Sequence, residues 1–426
     1  MLRVSLAAAR PGMRLALPIY HPRRPGTVLL KADIALEQRV IDRLREIELR
    51  ELWIQYPGMD FIAETVCPEI FASHARLAGT VADAFEEIAI AGHASLDWAA
   101  YRRAIAGLLD NLIRRPRAAL FVQELLGDAS SPIARHATNV CFISLLMGLK
   151  LDDYLVSQRT RLTARKAREV TNLGVGAMMH DVGMLYLDPE TLDRWNRDHD
   201  ETDPAWQAHV RIGYELVRGA IGPAAAAVVL HHHQRYDGSG FPRRRTLAGE
   251  ELEVAGSDIH IFARIVAAAD MFERLRNPAD APGAELRGAA RRPTVRALRA
   301  LREPPHRDWI DPVVYRALLS VVPPYPPGSM VRLSDGTIGV VEAWRPTDPC
   351  RPVVREISLA PERIERGLDD DARSIDLLTV GGVQIVEAEG FDVSRDNFYP
   401  ASPGEFDLTM AHKARINGAA RYRRTA

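Results

Sequence analysis

Seven of the 13 histidines in this 426-residue chain fall between His136 and His233, several of them within segments whose other residues are largely apolar. They are His136, His180 with Asp181 beside it, His199, His209 and the run His231, His232 and His233; Asp270 follows inside the apolar stretch Ile265–Phe272. Such side chains restrict a fold severely, because an imidazole or carboxylate withdrawn from water without compensation is expensive. One histidine on a half-buried helix is most often a hydrogen-bonded core residue. Five histidines and two aspartates on apolar helices (His136, His180, Asp181, His209, His232, His233, Asp270) form instead the donor set of a metal site, since imidazole and carboxylate suit Fe, Mn, Zn or Ni and a carboxylate can bridge two ions. His21, His74, His93, His199, His306 and His412 read as solvated.

The pattern around this set is mainly α. Over residues 70–322 the apolar positions recur at helical spacing, in the stripes Leu77, Val81, Phe85, Ile88 and Tyr101, Ile105, Leu108, Leu109, Leu112. Breakers stand at Gly92, at Pro116 and at Ser130-Ser131-Pro132. The last predicts a helix start, with Ser131 as cap and Pro132 in the first turn, so that His136 lies just over one turn inside. Residues 1–65 predict a small α/β module: alternation at Met13, Leu15 and Leu17, a turn at Pro25-Gly26, the run Val28–Leu30, then a helix facing inward through Leu36, Val40, Leu44 and Ile47. Beyond the breaker run Pro323–Gly328, residues 327–395 predict a small β module. Its strands are Met330–Leu333 and Ile338–Val341 around Asp335-Gly336, then Val353–Ile357 and Val383–Val386. Residues 396–426 form a basic tail.

Composition removes several classes of function. The 55 basic residues nearly cancel the 56 acidic ones, so no global attraction to nucleic acid or anionic lipid exists. Cys67, Cys141 and Cys350 are odd in number and far apart, which excludes a disulfide framework and favours a reducing compartment. Neither Ala220–Leu230 nor Val4–Ala9 is long enough to span a bilayer or form a signal-peptide core. The expected location is the cytoplasm.

The segment after the histidine run is more specific. HHQRYDGSGFP, from His232 to Pro242, resembles the signature of the HD-GYP family of metal-dependent phosphohydrolases. MMHDVGM (Met178–Met184), HVRIGYELV (His209–Val217) and ARIVAAADMFERL (Ala263–Leu275) are similar to that family's other motifs, in the family's order, and the resemblance covers residues 125–320. It implies an all-helical HD-type domain that hydrolyses cyclic di-GMP with two divalent transition-metal ions, Fe or Mn. By motif, His136, His180, Asp181 and Asp270 would hold one ion and Asp181, His209, His232 and His233 the other, with Asp181 as catalytic bridge. Two ions sharing a water lower its pKa and neutralise the phosphodiester. Arg235, Asp237, Gly238, Gly240 and Phe241 would serve the substrate, or the Gly238–Pro242 loop would receive a diguanylate cyclase or another signalling partner. A homodimer is compatible with all of this.

Four positions and one short segment depart from the family pattern. Pro132 stands where members with a third ion carry Glu. Met184 replaces a phosphate-side Lys, and losing one preorganised charge typically costs about a hundredfold in rate. Gln234 replaces a Glu, and Phe241 a Tyr. Pro278-Ala279-Asp280-Ala281 occupies the place of an Arg-Pro-Tyr segment that contributes phosphate contacts; Arg274, Arg276 and Arg287 are nearby cations that could substitute for it, although a solvated helix face is the commoner reading of such charges. Two functions follow: a phosphodiesterase, slow or altered in substrate choice, or a nucleotide-responsive binding or scaffold protein that keeps the fold.

Overall fold

The computed structural model describes residues 1–409 except 7, 21–27, 48, 50, 60–61, 63–67, 92–96, 115–131, 247, 279–291, 359–366 and 369–371. The expected turn at Pro25-Gly26, the breakers at Gly92, Pro116 and Ser130-Ser131, the cysteine Cys67, Arg287 and the Lys413–Arg424 tail lie outside these residues.

The domain that carries the histidines is built on a helix with no polar face. Helix α4 (Pro132–Lys150) is buried almost continuously from Ala134 to Gly148, the pattern of a helix covered on all sides. Around it pack α2 (Pro68–Ala91), α6 (Thr171–Met179), α10 (Ile261–Arg276) and α12 (Pro312–Val321), while α3 (Trp98–Arg114) packs on α2 and α6, and α9 (Pro223–His231) on α6 and α10. Short helices α5 (Asp152–Gln158), α7 (Pro189–Asp198), α8 (His209–Val217) and α11 (Thr294–Ala300) fill the periphery, and α1 (Gln38–Glu46) belongs to the N-terminal module. The stripes read from sequence are buried as expected, with Leu77, Val81 and Phe85 on α2 and Tyr101, Ile105, Leu108, Leu109 and Leu112 on α3 in one core. Within it Arg264 of α10 ion-pairs with Asp311 at the start of α12 (2.5 Å) and donates to Tyr154 (3.1 Å), so a buried charge is compensated at once.

The N-terminal module has two ribbons, β1 (Leu2–Ser5) with β4 (Glu51–Ile54) and β2 (Ile19–Tyr20) with β3 (Val28–Leu30). The first was not anticipated. Its strands are nearly fifty residues apart, and local alternation carries no trace of such a pairing. In α1 the buried residues are Ile41 and Leu44 rather than Val40, a rotation of the expected face. A two-stranded hairpin β5 (Arg244–Arg245) and β6 (Glu251–Leu252) follows the histidine run.

The C-terminal strands form one antiparallel sheet in the order β10–β9–β8–β7–β11–β12. β7 (Met330–Leu333) and β8 (Ile338–Ala343) flank the Asp335-Gly336 turn as expected, and β9 is Val353–Glu356. β10 is Ser374–Asp376, β11 runs from Ile385 to Ala388, two residues later than the expected strand, and β12 is Phe391–Asp392. Alternation then sends neighbouring side chains to opposite faces: Val341 joins the helical core and Val340 the N-terminal core. The sheet is thus a shared wall between the two.

One buried histidine was misread. His74, expected in solvent, is 2 % exposed on α2, its ring edge-on to Phe142, and neither ring nitrogen has a hydrogen-bond partner among the described residues. Burial pushes its pKa down to about 3. Above pH 6.5 the folded and unfolded chains agree on its charge; below it only the unfolded chain takes the proton, which removes about 1.4 kcal/mol of stability per pH unit. His74→Leu should therefore melt at a higher temperature than the parent at pH 5, with the gap narrowing toward pH 7. A gap that does not change with pH would contradict this protonation state.

Candidate metal centre

Five elements converge on one point. His136 comes from the second turn of α4, His180 and Asp181 from the end of α6, His209 from the start of α8, His232 and His233 from the end of α9, and Asp270 from the middle of α10. Gly183 permits this convergence: a Cβ there would lie 2.0 Å from the carbonyl oxygen of His209, so no other residue lets the turn after Asp181 lie against α8.

The central feature is the division of one carboxylate between two histidine sets. Asp181 Oδ2 lies 3.2 Å from His180 Nε2 and 3.7 Å from His136 Nε2, while Oδ1 lies 3.3 Å from His232 Nε2 and 3.6 Å from His209 Nε2. Asp270 Oδ1 completes the first set at 3.0 Å from His136 Nε2. All seven residues inferred as ligands thus fall into two groups, His136, His180 and Asp270 against Asp181, His209, His232 and His233.

The tautomers are fixed from behind. His180, His209 and His232 donate from Nδ1 to the carbonyls of Ala177, Trp206 and Val229 at 2.7, 2.7 and 3.0 Å. His136 does the same to Glu273 Oε2 at 2.7 Å. Each Nε2 is left pointing inward, with 3.3 Å between those of His136 and His180 and 3.5 Å between those of His209 and His232. Nitrogens aimed at one another with no carbonyl between them can share either a proton or a metal ion. His233 Nε2 and Asp181 Oδ1, both buried, have no hydrogen-bond partner either. The donor set fits divalent metal ions, and the backing contacts are those that orient metal-bound imidazoles.

Electrostatics agree for most of the set. Burial holds His209 down to about 3 and His233 well below its ordinary value, in the neutral form that a ligand requires. Burial works against ionised Asp181, but His180, His232 and Arg274 prevail and keep its carboxyl well below the usual range. His136 is the exception: burial would lower it, yet Glu273 and Asp270 prevail and raise it to about 10. An ion bound there displaces that proton.

Glu273 and Trp195 escaped the sequence reading, whereas Arg274 was expected either as a substitute phosphate contact or on a solvated face. Glu273, fully buried, receives His136, Asn139 and Asn277; Arg274 donates to Asp270 (2.7 Å) and Asp181 (3.5 Å). Both stand three and four residues after Asp270, the spacing that shares a helix face, and that spacing was the available signal. Arg274 is therefore not on a solvated face; nor is Arg276, 3 % exposed and paired with Glu389. A cavity of about 200 Å³ opens over the first set, walled by Met184, Trp195, Arg274 and, against expectation, His199.

The five residues assigned to substrate, Arg235, Asp237, Gly238, Gly240 and Phe241, are not among those lining this cavity. Arg235 stacks on Trp309 and pairs with Glu201, a cavity residue, at 2.6 Å; Asp237 accepts from the backbone and hydroxyl of Ser239. Gly238 has φ of +88°, and a Cβ on Gly240 would lie 2.4 Å from the carbonyl oxygen of His233. Phe241 stacks on His233 and packs against Trp206. The loop thus closes over His233. Phe241→Ala should lower stability by about 2–4 kcal/mol and loosen metal retention, measured by thermal melting and elemental analysis. An unchanged melting temperature would return Phe241 to a purely ligand-facing role.

The helical architecture and this convergence of histidine and aspartate define a metallohydrolase-type domain. Residues 152–314 match the model of the HD domain family. Among characterised proteins, the chain is 26% identical over 327 residues to a cyclic di-GMP phosphodiesterase of Pseudomonas aeruginosa, covering 71% of this chain and 72% of that protein. It is 34% identical over 110 residues to a cyclic di-GMP phosphodiesterase response regulator of Xanthomonas campestris pv. campestris, 25% of this chain and 27% of that one. A 3'3'-cGAMP-specific phosphodiesterase of Vibrio cholerae is 29% identical over 194 residues, 45% of this chain and 36% of its own. No helix among the described residues is long and apolar enough to cross a membrane.

Proposed function

We propose that the protein is a metal-dependent phosphodiesterase that hydrolyses cyclic di-GMP to the linear dinucleotide or to GMP in the cytoplasm. The observation that carries this reading is Asp181, whose two oxygens face separate histidine pairs at 3.2–3.7 Å. The names of the relatives supply the substrate class. His136, His180, Asp181 and Asp270 would hold one ion and Asp181, His209, His232 and His233 a second, iron or manganese by donor chemistry. Bound there, such ions would supply an acidified water and charge neutralisation for the phosphodiester.

The chain's own residues do the remaining work. Burial keeps His209 and His233 unprotonated, Glu273 fixes the ring of His136, and the carbonyls of Ala177, Trp206 and Val229 fix three others. Phe241 and Gly240 hold His233, so the loop supports the centre and leaves Asp237 and Ser239 exposed for a signalling partner. The test is turnover: protein purified anaerobically and supplied with Fe(II) or Mn(II) should convert cyclic di-GMP to linear product. A metal-loaded protein that leaves it intact would favour the binding or scaffold role.

A further inference from the structure

We propose that Arg274 is the cation that contacts the scissile phosphodiester, a role that the family resemblance places at position 184, where this chain has Met. The proposal rests on the phosphodiesterase reading above. Met184 and Arg274 line the same cavity over the first histidine set, and Arg274 is the only Lys or Arg among the described residues lining it. Its guanidinium is held at two corners, with Nε donating to Asp270 Oδ1 at 2.7 Å and Nη2 reaching Asp181 Oδ2 at 3.5 Å. Nη1 makes no hydrogen bond to any described residue, and the side chain is 24% exposed, toward the cavity.

The carboxylates of the wall explain why a cation is needed there. Asp181 and Asp270 face the centre, Glu273 is occupied by His136, Asn139 and Asn277, and Glu201 by Arg235. A phosphodiester entering between them meets acidic groups on several sides, and the thioether of Met184 offers it nothing. A guanidinium fixed by two carboxylates is already oriented when charge develops on the phosphate oxygens, which is where preorganised donors act most strongly. Its planar fork also leaves an N–H for the ligand, as a neutralising point charge would not.

The experiment uses the metal-loaded full chain, with the hydrolysis-resistant bis-phosphorothioate analogue of cyclic di-GMP as binding probe. Arg274→Met should weaken analogue binding at least about tenfold and lower kcat about a hundredfold, with the metal content per chain unchanged. Adding Met184→Lys to that variant should recover at least tenfold, because a cation returns to the same cavity. Arg274→Gln serves as a second variant should Arg274→Met fold poorly. Analogue affinity within twofold of the parent would overturn the proposal, whether or not the parent turns over substrate. So would a loss that follows metal content and is restored by excess metal, which would make Arg274 a support for the ligands alone. Failure of the parent to hydrolyse cyclic di-GMP, with the analogue still bound through Arg274, would count against the function and leave this assignment standing.

Discussion

Asp181→Asn should strip the centre of both ions and abolish turnover. The amide keeps the shape of the carboxylate but removes its charge and turns one of its two oxygens into a donor. The oxygens of Asp181 face His136 and His180 on one side and His209 and His232 on the other, so both histidine sets lose their common partner. Removing a backing contact such as Glu273 costs roughly 10–100-fold in metal affinity, and a shared ligand should cost more than that at each site. The metal content of the variant should fall from near two ions per chain to well below one. Retention of both would refute the bridge. Asp270→Asn, which touches the first set alone, should lose at most one ion.

Gly183→Ala should be the most damaging single methyl in the molecule. The added Cβ would sit 2.0 Å from His209 O and 2.7 Å from Gly213 N, both backbone atoms with no rotamer to retreat into. Either α8 moves away, carrying His209 out of reach of Asp181, or the turn after Asp181 distorts; overpacking of this kind costs about 1–3 kcal/mol and occasionally more. The control is Gly107→Ala on α3, where a Cβ meets nothing within 4 Å and helix propensity should contribute about 0.5–1 kcal/mol of added stability. Melting curves of the two variants should move in opposite directions. A Gly183→Ala protein as stable as its parent would mean that the turn and α8 are not in contact.

The convergence of these five histidines and two aspartates was legible because they are polar residues in or at the ends of largely apolar helical segments, a combination that sequence displays directly. The residues that support it were not. Glu273 and Arg274 look like ordinary exposed charges of an amphipathic helix, and only the rotation of α10, which turns Asp270 inward, reveals that positions three and four later turn in with it. His199 and Trp195 depend on how α7 ends: His199 takes a left-handed conformation, φ 48°, and its ring meets the edge of Trp195. The Gly238–Phe241 loop was identified as a unit, but a motif does not say which side it faces, and here Gly240 and Phe241 face His233. Helices α2 and α3 and the β7–β8 hairpin were readable from periodicity and turn chemistry. The β1–β4 pair was not, because it is made by residues far apart in the chain.

The most direct test of the account is the number of metal ions the chain carries. Protein expressed with iron and manganese available and purified without oxygen should contain close to two transition-metal ions per chain by elemental analysis, since seven inward donors divide into two sets around Asp181. One ion per chain would leave Asp181 as a ligand but remove its bridging role. Less than half an ion per chain would contradict the centre itself.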